Sequence, residues 1–141
     1  ELSAFFSANT SFGDRLPPSF LNVAGGFSTV RGYPLGAASG DSSLMLKLDY
    51  KYHFDTIDLG GSPLDLTAVV FSDIASVKNE DALIFERDDT LWSLGLGLDA
   101  VFSESLRASL GYGVALDAID SPTQAVESGD GEFYFQLGYT F

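Results

Sequence analysis

The sequence predicts an all-β fold in which about six long antiparallel strands form part of a transmembrane β-barrel. Three observations predict it. Apolar residues recur at every second position rather than at helical spacing. The alternating stretches match the roughly 9–11 residues that a tilted strand needs to cross a bilayer. Long polar connections interleave with short ones.

The first alternating stretch runs from Leu2 to Phe12. The second, "LMLKLDYKYHF", is the clearest: Leu44, Leu46, Leu48, Tyr50, Tyr52 and Phe54 share one face, while Lys47, Asp49, Lys51 and His53 share the other. A third covers Leu64 to Ile74. The fourth, Leu91 to Phe102, sets Trp92, Leu94, Leu96, Leu98, Ala100 and Phe102 against Ser93, Gly95, Gly97 and Asp99. The fifth, Leu106 to Asp117, sets Leu106, Ala108, Leu110, Tyr112, Val114 and Leu116 against Arg107, Ser109, Gly111, Gly113 and Asp117. The sixth is Glu132 to Phe141. Strands of soluble domains usually run about five or six residues, so these belong to the longer class. Their apolar faces are nearly free of charge and suit lipid, whereas the glycine-rich polar faces suit a barrel lumen.

The long connections, at about 13–43, 75–90 and 118–131, are rich in Gly, Ser and Asp. Shorter ones fall at 55–63 and at Ser103-Glu104-Ser105. Outer-membrane barrels pair short periplasmic turns with long outside loops, so the last strand is expected to run from the outside to the periplasm. Tyr52, Phe54, Phe102, Tyr139 and Phe141 then fall near the periplasmic interface, and Phe12, Trp92 and Phe133 near the outer one, as two aromatic girdles. Six strands alone leave two open edges, and in lipid each unpaired backbone group costs several kcal/mol. Residues 1–141 are therefore expected to be the C-terminal part of a larger barrel. Its remaining strands would come from the same longer chain or from other copies.

Composition narrows the function. Twenty acidic against seven basic residues give a net charge of −13, and no basic cluster could gather phosphates, so nucleic acid is excluded as a partner. There is no cysteine, hence neither disulfide nor thiolate metal site. No apolar run approaches the roughly 18 residues of a membrane helix. The beginning, "ELSAFFSANTSF", lacks a basic segment, so an exported form would have lost its signal. The location expected is the bacterial outer membrane, in contact with lipid and lipopolysaccharide.

One stretch fits none of the strands: Val30-Arg31-Gly32-Tyr33, an arginine among glycines and aromatics within "FLNVAGGFSTVRGYPLGAASGD". The stretch resembles the conserved lumen loop of the outer-membrane-protein-85 superfamily, most closely that of the two-partner secretion transporters of the haemolysin-activator type. Gly25-Gly26 upstream and Ser39-Gly40-Asp41 downstream match the family pattern as well. The resemblance covers essentially the whole chain, as the last six strands of a barrel of about 16. It implies that residues 13–43 fold back into the lumen. It further implies that the tip arginine pairs with an acidic residue of an F-x-D motif on the second strand after the loop. "VVFSDIASV" supplies Phe71-Ser72-Asp73, and alternation independently puts Asp73 on the lumen face, because Leu64, Leu66, Ala68 and Val70 take the other. An arginine solvated in a mobile loop is the alternative.

A three-residue turn at Ser103 to Ser105 would set Gly97 opposite Gly111 and Gly95 opposite Gly113. That makes a lumen patch without side chains, either for close approach of the loop or for barrel curvature. The end, "FYFQLGYTF", resembles the recognition signal of outer-membrane proteins through Phe133, Phe135, Leu137, Tyr139 and Phe141. Its expected partner is the barrel-assembly machinery, by strand addition.

Catalysis is not expected. His53 is the only histidine, so a Ser-His-Asp arrangement has one possible base and zinc one possible nitrogen ligand. Glu80, Asp81, Glu86, Asp88 and Asp89 in one loop, and Asp120, Glu127 and Asp130 in another, lack EF-hand spacing and read as solvated faces. No cofactor or metal is called for. The expected function is an outer-membrane translocation pore that passes an unfolded partner exoprotein to the cell surface. A barrel-assembly insertase of the same superfamily, or a passive porin or adhesin barrel, are the alternatives.

Overall fold

The computed structural model describes residues 1–80, 88–103, 105–120 and 124–141. In chain order it contains β1 (Leu2–Asn9), a short 3-10 turn (Pro18–Phe20), β2 (Asn22–Ala24), β3 (Ala38–Gly40), β4 (Ser42–His53), β5 (Ile57–Asp58), β6 (Pro63–Lys78), β7 (Asp89–Phe102), β8 (Leu106–Ala115), β9 (Ile119–Asp120), β10 (Ala125–Val126) and β11 (Gly131–Tyr139). The fold is all-β and antiparallel. Six long strands form one sheet in the order β1-β4-β6-β7-β8-β11, β5 adds to β6, and two small hairpins, β2–β3 and β9–β10, stand apart. Among the described residues nothing pairs with the outer edges of β1 and β11, so the sheet is open rather than closed on itself.

The period of two decides which face each residue takes. On β6, Val69, Phe71, Asp73, Ala75 and Val77 are buried, whereas Val70 and Ile74 are exposed. Trp92, Leu94, Leu96 and Leu98 of β7, Leu110 and Tyr112 of β8, and Phe133, Phe135 and Leu137 of β11 continue that exposed apolar face. The buried face is the one covered by the chain itself. Residues between β1 and β4 fold back across it, with the β2–β3 hairpin inside the segment. Val30, Tyr33, Ala24, Ala37 and Ala38 from this loop pack with Ala75, Val77, Leu91 and Ala115 of the sheet, and Ile119 and Val126 of the β9–β10 hairpin close the cluster.

The strand limits shift where that packing intervenes. β6 extends to Lys78, beyond Ile74, because the loop covers Ala75 and Val77 and leaves both faces of the strand usable. β1 ends at Asn9 instead of Phe12, which adopts a left-handed φ of 56° in the turn that follows. β8 ends at Ala115 instead of Asp117, where the chain turns towards β9. The connection at 55–63 is tighter than its composition suggests. β5 continues the hairpin with Ile57 opposite Leu64, and the reversal closes with the Leu59 amide donating to the Ser62 carbonyl at 3.0 Å. In the other short turn, the Ser105 amide donates to Phe102 at 3.2 Å, which fixes Phe102 opposite Leu106. That register carries Gly97 opposite Gly111 and Gly95 opposite Gly113.

At the short-turn end the aromatics meet edge to face, Tyr52 with Phe54 at 5.1 Å and Tyr139 with Phe141 at 5.0 Å between centroids.

Candidate functional site: a docked arginine loop

The loop tip is a small self-bonded knob. Gly25 and Gly26 have φ of 105° and 100°, values open to glycine, and this reversal lets the Gly26 amide donate to both Val30 and Tyr33 carbonyls, at 3.1 and 2.9 Å. The Thr29 hydroxyl ties the near side by donating to the Gly25 carbonyl at 2.9 Å. Bonded this way, residues 25–33 present Arg31 and Tyr33 to the sheet as one rigid unit.

Arg31 lies along β4 and β6. Its Nε donates to Oδ2 of Asp73 and one terminal nitrogen to Oδ1, both at 2.7 Å, a bidentate grip. Its backbone amide adds a third bond to the same carboxylate at 3.0 Å, and the terminal nitrogen also reaches Oδ1 of Asp49 at 2.5 Å. Asp73 is fully buried, and the Arg31 side chain is 12% exposed. The guanidinium carbon sits 3.8 Å from the centroid of the Phe71 ring, so the ring stacks beneath the charge. Burial works against that charge, but hydrogen bonds and attraction from Asp73 and Asp49 outweigh it and hold Arg31 above its ordinary pKa. Lysine could not replace it, because one ammonium has neither the fork nor the plane.

Tyr33 is fully buried. Its hydroxyl donates towards the carbonyls of Asp117 at 2.7 Å and Trp92 at 3.0 Å, and accepts from the amides of both residues at 3.2 Å. The β7–β8 register ends at Ser93 opposite Ala115, the Leu116 amide still donates to the Trp92 carbonyl at 2.7 Å just beyond it, and the Tyr33 hydroxyl adds to that last bond. Burial raises its pKa. Val30, also fully buried, packs in the cluster above. Tyr134 of β11 completes the seat: its hydroxyl accepts the Gly32 amide and donates to the Tyr33 carbonyl at 3.3 Å, and its ring meets Phe27 at 5.7 Å.

The four sheet glycines divide into two pairs. A Cβ on Gly113 would lie 2.7 Å from the Gly32 nitrogen, so the loop backbone rests directly on that glycine. A Cβ on Gly95 would strike the Phe71 ring at 2.1 Å, so this glycine makes room for the ring under Arg31. Gly97 and Gly111 meet neither the loop nor Phe71 among their nearest atoms.

At the loop base, Asp41 is buried and fastens three segments. Its carboxylate accepts the Leu16 amide at 2.6 Å and the Glu80 amide at 2.8 Å, while its carbonyl accepts from the Asn22 side chain at 3.0 Å. These amides, Leu16 first and Glu80 second, pull its pKa below the ordinary carboxylate value.

Phe133, Phe135, Leu137, Tyr139 and Phe141 lie exposed on the apolar side, and their strand is an outer edge of the sheet. His53 is exposed at the rim, hydrogen-bonded to Thr67 at 2.9 Å and Glu1 at 3.3 Å. Among the described residues no group of three His, Cys, Asp or Glu could hold a metal; Asp81 and Glu86 lie outside the described residues.

Sequence reasoning leaves Asp49 and Tyr134 without a role, although alternation sets Asp49 on the same face as Asp73, and Tyr134 opposite the Phe133 and Phe135 face. Compared with family models, with curated proteins and with solved structures, the chain matches none.

Proposed function

We propose that this chain is part of an outer-membrane β-barrel that serves as a translocation pore, exporting an unfolded partner exoprotein, with the loop at 13–43 held inside the lumen. The observation that carries the reading is the bidentate grip of Arg31 on a fully buried Asp73, on the inner side of a sheet whose other side is apolar and uncovered. An arginine and two carboxylates are costly to desolvate, and in a soluble core apolar residues often serve stability better. In a pore they hold a loop at a defined depth while leaving the wall wettable. The exposed apolar face has the chemistry of a lipid contact, and the resemblance of Val30-Arg31-Gly32-Tyr33 and Phe71-Ser72-Asp73 to the secretion transporters agrees with it. The remaining strands come from a longer chain or from other copies, and the β11 edge is where the barrel-assembly machinery would engage.

The test is deletion of the full-length protein in its own cells and complementation with wild type or Asp73→Arg. The expected result is loss of one protein from the culture supernatant or cell surface, restored by wild type and not by Asp73→Arg. A general fall in other outer-membrane barrels would point to an insertase instead. Changed uptake of small solutes, indifferent to Arg31 and Asp73, would point to a porin.

A further inference from the structure

The loop closes one end of the inner face and leaves a cavity at the other. On the long-loop side of Arg31 lies the buried cluster of Val30, Tyr33, Leu91, Ile119 and Val126. On the short-turn side a cavity of about 100 Å³ is bounded by Arg31, Phe27, Phe71 and Tyr134, with Gly97 and Gly111 as part of its wall and Asp49, Lys51 and Asp99 around it.

Three features give that cavity a chemical preference. Its wall includes a cross-strand glycine pair, a strip of bare backbone on which a flat ring can lie. The neighbouring pair, Gly95 and Gly113, is already covered, by the Phe71 ring and by the loop backbone, whereas the nearest side chain to a Cβ on Gly111 is Tyr134 at 3.8 Å. Three aromatic residues, Phe27, Phe71 and Tyr134, are part of its lining, and aromatic side chains favour tilted or offset contacts with one another. Charged groups of both signs border it, suited to the amides and carbonyls of an extended main chain.

We infer that the Gly97–Gly111 cavity receives an aromatic side chain from an extended segment of the exported polypeptide, directly beneath the Arg31 contact. The inference rests on the translocation reading, which makes the short-turn end the side from which an unfolded chain arrives. A bound ring would touch Phe27 and Tyr134, and through the Tyr134 hydroxyl the Gly32 backbone, so occupancy is communicated to the loop tip.

The experiment uses the full-length protein in detergent and the peptide Gly-Ser-X-Ser-Gly, with X the photoreactive single-ring residue p-azidophenylalanine. After illumination, adducts are mapped by mass spectrometry. They are expected at Phe27, Tyr134 or the strand segments around Gly97 and Gly111, and the tyrosine version of the peptide should compete while the alanine version does not. Gly111→Leu, which fills the cavity, should lower the adduct yield about tenfold, the scale of one lost aromatic contact. Gly111→Ala, whose Cβ meets nothing closer than 3.8 Å, keeps the fold and should give an intermediate loss. Equal competition by the alanine peptide, or adduct yields indifferent to both variants, would overturn the inference. Export assayed in parallel separates the two readings. Export that needs Arg31 and Asp73, but no adduct at the cavity, removes the inference and leaves the pore. An adduct at the cavity, without any export phenotype, removes the pore and with it the assignment of the ring to an exported chain.

Discussion

Arg31 and Asp73, separated by 42 residues in the chain, meet in two parallel hydrogen bonds of 2.7 Å, with the Arg31 backbone amide on the same carboxylate at 3.0 Å. This contact joins the loop tip to the middle of the central strand pair.

Removing one partner of a buried ion pair leaves the other charge uncompensated. Asp73→Ala should destabilise the docked loop by about 3–5 kcal/mol, and Arg31→Lys by less but clearly, because the amine keeps the charge and loses the fork. Because the chain contains no cysteine, a single Ala37→Cys, at a loop position only 3% exposed in the docked state, reports the change cleanly: thiol labelling should be slow in the parent and fast in Asp73→Ala.

Gly113→Ala sets a Cβ 2.7 Å from the Gly32 nitrogen, where backbone must give way. We expect the loop to lift, at a cost of about 1–3 kcal/mol, whereas Gly111→Ala should be tolerated. Thermal unfolding of the two variants side by side checks the asymmetry.

Tyr33→Phe removes the hydroxyl that bonds the Trp92 and Asp117 backbones at the end of the β7–β8 ladder. The Trp92 amide and the Asp117 amide and carbonyl then lose a partner, while the Trp92 carbonyl keeps the Leu116 amide, at a cost of about 1 kcal/mol. Amide exchange at Trp92 and Asp117 should quicken while exchange in the middle of β7 stays unchanged.

The pH dependence lies at the loop base. The Asp41 carboxylate has a folded pKa below its ordinary value of about 3.9, so its contribution is full above that value and is lost as pH falls through the lower, folded one. Labelling of Ala37→Cys should therefore be flat from neutral pH down to about 5 and rise below about 4. In Asp41→Asn that acid step should vanish, with labelling already faster at neutral pH.

Much of the sheet is legible because alternation is a local signal: the run from Leu44 to Phe54 states both a strand and its faces. Register was legible only where a short turn sets it, as at Ser103 to Ser105, from which the glycine pairs follow. Depth was not. Nothing local tells that Asp49 lies beside Phe71, or that Tyr134 reaches the Gly32 amide, because these neighbours arise from the pairing of strands distant in sequence. The end of β6 is hidden for the same reason: Ala75 and Val77 look like the start of a loop until another segment covers them. The pairing of Arg31 with Asp73 rests on the resemblance of a motif, and alternation adds only that Asp73 takes the face opposite to Leu64, Leu66, Ala68 and Val70.

The most direct test of the central claim is a double-mutant cycle of Arg31→Asp and Asp73→Arg in the full-length protein, read by thiol labelling of Ala37→Cys. Each single reversal should release the loop. The double variant should recover part of the protection, with a coupling of at least about 1 kcal/mol. Additive damage with no recovery would contradict the docked loop on which the account is built.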